Sequence, residues 1–294
     1  GATKGIAQKF PDRLIGTPIA ENGFTGMGLG AAINGLRPII EIMYADFCLV
    51  AADQLFNQIA KVRHMFGGTS TVPLIVRIRA AGGHGYGSQH SMDPSGLFAL
   101  WPGWRVIVPT TPFDYIGLFN SAVLCDDPVV VVETQTLFQS EGPVPADDLD
   151  YCIPFGKARI VRPGSACTVV ACGNMVPICV EAAEKSGIDA EVIDPRTLDS
   201  ASLDWQTISA SVERTNLLLV AEQTSRGPSL GAHIVQEGQE RLFDWLDHQI
   251  LRVSGSRSAP VVSKILEQAA LAGVDEVVVG LNALMGGGAR AAAE

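Results

Sequence analysis

One carboxylate, Glu21, stands in a run of small and apolar residues, TPIAENGFTGMGLGAAINGLRPIIE (17–41), whose first basic residue is Arg37. Such a run predicts a helix that packs closely against a neighbour, and an acid at its start has two interpretations. It can be an exposed carboxylate that interacts favourably with the positive N-terminal end of the helix dipole. It can also be a buried acid that is retained for proton transfer. The residues alone leave both interpretations open.

A histidine, His90, lies in a glycine-rich loop, AAGGHGYGSQHSMDPSG (80–96), between two apolar runs. Loops at the carboxyl ends of parallel strands are where α/β proteins bind ligands. A surface histidine with a hydrogen-bonding role is the simpler interpretation of His90. The closely spaced glycines, a second histidine and the polar QHS tip favour an active-site loop, which makes His90 a candidate for proton transfer.

Two catalytic motifs occur without the structural context that they require. GMGLGA (26–31) matches the dinucleotide-binding pattern, but no strand-like run precedes it, which argues against an NAD-dependent dehydrogenase. GPSLG (227–231) matches the nucleophile elbow, but Ser229 does not directly follow a strand, and we predict that it begins a helix. The histidines and cysteines show no zinc-site spacing, so we predict no metal site on this chain.

The elements that must position these residues follow an alternating β–α pattern. Three runs that are apolar at nearly every position, at 72–78, 105–111 and 128–134, predict parallel strands buried on both faces. The segment 46–66 predicts one long amphipathic helix with Asp46 as its N-cap. Thr111 followed by Asp114 predicts the start of another helix.

A second β–α series follows an acidic segment that contains proline and glycine and has no periodicity. Its predicted strands lie at 167–173, 190–195, 217–222 and 249–255, with helices between them. We therefore predict two three-layer α/β/α domains with mostly parallel sheets. The predicted division is a first domain at 1–140, a linker at 141–156, a second domain at 157–285 and a frayed tail at 286–294.

Composition excludes several partners. The formal net charge of −10 argues against binding to nucleic acid, and no apolar run reaches the length of a membrane span. The six cysteines form no CxxC pair and are typical of reduced residues in an intracellular protein. The chain starts without a basic segment, so no signal peptide is predicted.

Several segments together carry a resemblance to a known family. FPDRLIGTPIAENGFTGMGLGAAINGLRPIIEIMYADF, AADQLFNQIAKVR, GSQHSMD, PVVVVE and IDPRTLD occur in this order between residue 1 and about residue 285. In this combination the chain resembles the β subunit of the E1 components of 2-oxo acid dehydrogenases. These are the pyruvate, branched-chain and acetoin dehydrogenases of the transketolase-like thiamine diphosphate enzymes. The implied fold is a pyrimidine-binding domain followed by a transketolase C-terminal domain, which in this family chiefly builds subunit contacts.

The resemblance implies roles for five residues. Glu21 matches the glutamate that hydrogen-bonds N1′ of the thiamine diphosphate aminopyrimidine and so assists loss of the proton from C2 of the thiazolium. Phe47 matches the aromatic residue that packs on the pyrimidine. Ile19 and Met43 match apolar contacts of that pocket, although as residue types they could equally be plain core residues. His90 matches the active-site histidine, which serves proton transfer around the substrate and the incoming lipoyl group.

The resemblance also implies partners. The chain has no GDG-type diphosphate–metal signature, and in this family the α subunit carries the ligands of Mg²⁺ and the diphosphate. We therefore expect an obligate E1 α-type partner, an α₂β₂ assembly, a lipoyl-bearing E2 acceptor and a small 2-oxo acid or acetoin as substrate. The expected location is the bacterial cytoplasm or the mitochondrial matrix.

Three questions stay open at this level. Half of a split transketolase or deoxyxylulose-phosphate synthase, and a non-catalytic scaffold subunit of the same fold, are the alternative functions. The loop GGHGYGSQHSMD resembles the branched-chain group in one part and the pyruvate group in another, so the substrate is not fixed. Some relatives hold potassium on backbone carbonyls near the position of Cys125, where the pyruvate branch usually has Asp, and this ion is not predicted either way.

Overall fold

The computed structural model describes residues 3–225 and 229–286, and two sheets organise this part of the chain. The N-terminal domain carries strands β1–β4 and the C-terminal domain carries β5–β9. The bounds of the strands are β1 Ile39–Ile42, β2 Ile75–Ala80, β3 Arg105–Ile107, β4 Val129–Thr134, β5 Arg159–Arg162, β6 Cys167–Ala171, β7 Ala190–Asp194, β8 Leu218–Ser225 and β9 Leu251–Gly255. The bounds of the helices are α1 Ile6–Lys9, α2 Glu21–Ile33, α3 Ala60–Met65, α4 Ser95–Ala99, α5 Pro112–Leu124, α6 Met175–Ser186, α7 Trp205–Thr215, α8 Leu230–Leu242, α9 Lys264–Ala270 and α10 Val274–Met285.

The N-terminal sheet is parallel throughout and has the strand order β1-β2-β4-β3. Its apolar side chains enter separate cores on its two faces, because successive residues of a strand point to opposite sides. Ile78 and Val132 belong to the larger core with α2, whereas Val129 and Val131 pack against α5. Strands β3 and β4 fall within predicted runs, β2 overlaps the run predicted at 72–78 but ends two residues later, and the short β1 was not predicted.

The helix predicted over 46–66 is present in three pieces. A 3₁₀ turn at Ala45–Leu49 leads into a π-helical stretch at Asp53–Ile59 and then into α3. The prediction that Asp46 caps a helix is wrong, since the residue lies inside the 3₁₀ turn and its carboxylate accepts a hydrogen bond from the Met92 N–H. The predicted start of α5 is confirmed, because the Thr111 hydroxyl accepts a hydrogen bond from the Asp114 N–H.

The C-terminal sheet has the strand order β5-β7-β6-β8-β9. Its strands are parallel except β5, which pairs antiparallel with β7. Ser229 is the N-cap of α8, as predicted, and its hydroxyl accepts a hydrogen bond from the Ala232 N–H. The predicted class of two α/β/α units with mostly parallel sheets is confirmed. All but the first residue of the predicted frayed tail lies outside the described residues.

The two domains are joined along the outer side of β3. Thr197 forms an antiparallel bridge with Ile107, and the Leu198 N–H donates to the Val106 carbonyl at 3.0 Å. The IDPRTLD segment therefore adds a single bridge and flanking backbone hydrogen bonds to the edge of the N-terminal sheet. This pairing covers an edge that would otherwise expose unpaired backbone groups.

One described segment, Lys264–Met285, reaches membrane-spanning length and hydropathy. It consists of α9 and α10, separated by a break, and α10 carries Asp275 and Glu276 in its first turn. Val277, Leu281 and Leu284 of α10 are buried in the core of the C-terminal domain. Core packing therefore accounts for the apolar character of α10.

Candidate active site at the carboxyl end of the N-terminal sheet

Glu21 is the first residue of α2, so its carboxylate lies at the positive end of that helix. Its side chain is half-buried, and within the described residues it makes no hydrogen bond or ion pair. Ile19, two residues earlier, is 95% exposed. An apolar side chain with almost no contact inside its own chain, beside an unpaired carboxylate, indicates a surface that another group covers.

Met43 directly follows β1 and is 51% exposed. For Met43 and Ile19 the interpretation as core residues is therefore wrong. The sulfur of Met43 lies 3.4 Å from Nη1 of Arg79. The Arg79 guanidinium in turn lies over the rings of Tyr44 and Phe138, at 5.5 and 4.9 Å from their centroids. This arrangement places a half-buried cation at the end of β2, beside Met43.

Phe47 and His90 are in contact although 43 positions separate them in the sequence. Their rings meet edge to face, with centroids 5.3 Å apart and planes at 86°. Tyr44 packs on the other side of the contact, 5.0 Å from the His90 ring. Phe47 comes from the 3₁₀ turn after β1, and His90 comes from the loop after β2, so the adjacent parallel strands bring them together.

Asp46 lies beside this pair. Burial raises the pKa of its carboxyl group, while the hydrogen bond from the Met92 N–H and the nearby His90 lower it in part. The carboxylate thus fixes the backbone just after His90 and lies close enough to interact with that histidine electrostatically. From the sequence, Asp46 is not predicted to belong to this site; its position directly before Phe47 was the available signal.

The loop that carries His90 depends on glycine at several points. Gly83, Gly85 and Gly87 all have positive φ angles, of 89°, 77° and 85°. Side chains other than glycine rarely adopt such angles. The loop therefore passes through conformations that require this spacing of glycines.

A cleft of about 360 Å³ lies behind the loop, between the two domains. It is lined by Asp46, Ser91, Asp93, Cys172 and Glu267, among others. Glu21, Phe47 and His90 do not line it. The structure thus brings Phe47 and His90 together and places Met43 near them through Tyr44, while Glu21 and Ile19 lie at the start of α2 without a direct contact to that pair.

Two findings concern ions. Within residues 3–225 and 229–286, no group of three or more His, Cys, Asp or Glu side chains could hold a metal. The carbonyl of Cys125, near which some relatives hold potassium, accepts a hydrogen bond of 2.8 Å from Nη1 of Arg37. The same nitrogen also donates to the Val123 carbonyl at 3.0 Å.

Comparison with known protein families divides the chain into two matched regions. Residues 1–140 match the pyrimidine binding domain of transketolase, and residues 156–277 match the transketolase C-terminal domain. Among solved structures, the chain superposes on a split gene transketolase described as an inactive β4 tetramer, with a TM-score of 0.77. That match covers 97% of this chain and 88% of the other at 21% identity, so it shows the fold alone.

Curated relatives are more similar in sequence. The β subunit of the acetoin:2,6-dichlorophenolindophenol oxidoreductase of Bacillus subtilis is 39% identical, over 95% of this chain and 81% of the relative. The mitochondrial pyruvate dehydrogenase E1 component subunit β-1 of Oryza sativa is 38% identical, over 94% and 75%. The 2-oxoisovalerate dehydrogenase subunit β of Pseudomonas aeruginosa is 36% identical, over 86% and 76%.

Proposed function

Because the chain belongs to the family of E1 β subunits of the 2-oxo acid and acetoin dehydrogenases, we propose that it supplies the pyrimidine half of a thiamine diphosphate site shared with an α-type chain. The assembled enzyme cleaves a 2-oxo acid or acetoin and transfers the acyl group to a lipoyl-bearing E2 protein. The family membership implies use of thiamine diphosphate. The α-type partner, the α₂β₂ assembly and Mg²⁺ bound by that partner are parts of this proposal.

The observation that carries the proposal is the surface around the start of α2. A half-buried carboxylate without a partner inside the described chain, next to an almost fully exposed isoleucine, suits a planar heteroaromatic group. Such a group needs a hydrogen-bonding partner at one ring nitrogen and apolar contacts on its faces. Glu21 provides the first, and Ile19, Met43 and Phe47 provide the second.

When bound, thiamine diphosphate supplies the carbanion chemistry that no amino acid side chain can perform. In the proposed site, the Glu21 carboxyl group holds a proton against ring atom N1′ and fixes the orientation of the pyrimidine. Phe47 packs on the ring and, by its contact with His90, sets the distance of that imidazole from the reacting atoms. His90 moves protons to and from the substrate and the arriving lipoyl group.

The proposed requirement for a partner chain follows from the apolar surface that this chain exposes. Ile19 and Met43 expose apolar surface that a second chain would cover on assembly, which would also exclude water from Glu21. The sequence carries no GDG-type diphosphate–metal signature, so the proposal assigns the diphosphate and Mg²⁺ to the α-type chain. The curated relatives include bacterial and mitochondrial proteins, and we propose one of these two compartments for this chain.

Reconstitution tests the proposal. The chain is mixed with an α-type subunit that carries the GDG motif, in the presence of thiamine diphosphate and Mg²⁺, and decarboxylation of 2-oxo acids, cleavage of acetoin and transfer to lipoyl-E2 are measured. We expect activity from the mixture and none from either chain alone. Transfer between sugar phosphates would instead support the split transketolase alternative. Failure of the mixture to bind the cofactor would support a scaffold role.

A further inference from the structure

Helix α9 buries a single side chain, and that side chain is a carboxylate. Glu267 is fully buried, whereas its neighbours Ile265 and Leu266 are 79% and 61% exposed. An amphipathic helix normally buries its apolar residues and exposes its charges. A buried carboxylate is costly unless other groups compensate it, so its presence here requires an explanation.

Glu267 uses its carboxylate to hold the loop that carries His90. Its Oε2 accepts a hydrogen bond of 2.5 Å from the Gly85 N–H, which lies 182 positions earlier in the chain. The neighbouring Gln268 donates from Nε2 to the Gly83 carbonyl at 3.3 Å. The C-terminal domain therefore binds the backbone of the loop in two places within three residues.

The close approach of α9 explains two of the glycines in the loop. A Cβ at Gly85 would lie 3.0 Å from the Cβ of Lys264 and 3.1 Å from its backbone. A Cβ at Gly87 would lie 2.9 Å from Cγ2 of Val262. The loop and the region around α9 are thus fitted to each other, and glycine is needed both for the backbone angle and for the contact.

The second carboxylate oxygen of Glu267 shows that packing alone does not account for the residue. Oε1 is buried and has no hydrogen-bond partner among the described residues, and Glu267 lines the interdomain cleft together with Asp46 and Ser91. The Ser91 hydroxyl, next to His90 in sequence, is also buried without a partner. Glu267 therefore lines the cleft and combines a short hydrogen bond to the loop with a buried second oxygen that has no partner among the described residues.

From these contacts we infer that Glu267 is a positioning residue, through which the C-terminal domain sets the place of His90 in the active site. The inference rests on the proposed role of His90. It gives the C-terminal domain a direct part in the reaction, in addition to the subunit contacts that the family resemblance implies. Displacement of a catalytic group by about 1 Å can cost about 100-fold in rate, so a contact of this kind can control acyl transfer.

The test uses the reconstituted α–β enzyme with Glu267→Ala and Glu267→Gln. We expect Glu267→Ala to speed hydrogen exchange in peptides that span 81–90 and to slow acyl transfer to lipoyl-E2 by about 10- to 100-fold. Binding of thiamine diphosphate should stay unchanged. Glu267→Gln keeps an acceptor oxygen for the Gly85 N–H and should restore most of the rate. Ile265→Ala, at a position of the same helix that is 79% exposed, is the control and should behave as the unmodified enzyme.

A double-mutant cycle separates positioning from general stability. If Glu267 acts through His90, Glu267→Ala should cost little further rate in a His90→Ala background. Rate losses that multiply independently, or an unchanged exchange rate in Glu267→Ala, would overturn the inference. If Glu267→Ala does not assemble, Glu267→Asp, shorter by one methylene, carries the same test. Should His90→Ala leave acyl transfer intact, the proposed function fails, while hydrogen exchange still reports whether Glu267 holds the loop.

Discussion

The carboxyl ends of the two sheets are built alike but used differently. In the C-terminal sheet, Asp194 at the end of β7 and Glu222 in β8 are buried, and each accepts hydrogen bonds within the chain. In the N-terminal sheet, the ends of β1 and β2 present Met43, partly exposed, and the half-buried Arg79. The start of α2 adds Glu21, which has no partner in the part of the chain that the structure describes. The carboxyl end of the C-terminal sheet lies at the interface between the domains, whereas the carboxyl end of the N-terminal sheet carries the proposed cofactor site.

The interface between the domains contains a buried acid that has ion-pair partners inside the chain. Asp114 of the N-terminal domain is fully buried and binds Nη2 of Arg196 at 2.6 Å and Nη1 of Arg159 at 3.1 Å, both from the C-terminal domain. The Thr111 hydroxyl also donates to it at 2.5 Å. Glu21 differs from Asp114 in that neither of its carboxylate oxygens has a hydrogen bond or ion pair within the described residues.

The largest effect is expected at Glu21, at the carboxyl end of the N-terminal sheet. Glu21→Gln keeps the size of the side chain but removes a group that can lose a proton, so turnover of the reconstituted enzyme should fall by about 100- to 10,000-fold. Assembly and thermal stability should not change. Glu213→Gln, on an exposed position of α7, is the control and should keep full activity. Near-normal turnover in Glu21→Gln would show that the carboxyl end of the N-terminal sheet does not supply an acid to the reaction.

The next effect concerns the pair formed by His90 and Phe47. His90→Ala should slow acyl transfer by about 100-fold, because a positioned acid–base group typically contributes that much or more. Thiamine diphosphate binding, followed by quenching of intrinsic fluorescence, should remain within about twofold of normal. A variant that loses the cofactor but keeps acyl transfer at saturating cofactor would contradict the role given to His90.

At the interface between the two domains, substitutions should change the stability of the protein. Arg196→Ala leaves Asp114 buried with one ion-pair partner fewer, which should cost about 4 kcal/mol, as for other broken buried pairs. The measurement is the midpoint of thermal unfolding. Lys185→Ala, which breaks an exposed ion pair with Asp275, is the control and should leave the midpoint unchanged. Equal midpoints for both variants would show that the interface does not depend on its buried charges.

The smallest effect is a pH dependence at the same interface. Burial raises the pKa of Asp194 to about 6, from a usual value of 3.8. Between these values the folded chain binds a proton that the unfolded chain has lost, so this group makes stability fall as pH rises from about 4 to about 6. Relative to Asp194→Asn, the unmodified chain should lose at most about 3 kcal/mol over this window. Unfolding curves that run parallel for the two proteins across this pH range would contradict the assignment.

Local sequence patterns predicted the helices and strands that are determined by interactions between neighbouring residues. The apolar run of β4, the Thr111 cap and the start of α8 at Ser229 are set by neighbouring residues, and the structure has them where they were predicted; β2 is shifted by two to three residues from its predicted run. The 46–66 helix was predicted as regular because its apolar period fits an α-helix. Its actual 3₁₀ and π pieces reflect packing against α2 and the sheet.

The site was only partly accessible from the sequence. Glu21 and His90 stand out by residue type and setting, whereas Ile19, Met43 and Phe47 came only from family resemblance, since an isolated apolar residue looks like core. Their roles stay predictions, although the exposure of Ile19 and Met43 argues for a surface role. Glu267 lies 177 positions after His90 in a helix without a motif, and only folding shows the hydrogen bond from Gly85.

The central claim is that the Glu21 carboxyl group assists proton loss from the cofactor. The most direct measurement is the rate at which deuterium replaces the proton at C2 of thiamine diphosphate bound to the assembled enzyme, read by NMR after acid quench. We expect Glu21→Gln to bind the cofactor but to slow this exchange by at least about 100-fold. Exchange at the unmodified rate in Glu21→Gln, with the cofactor fully bound, would contradict it.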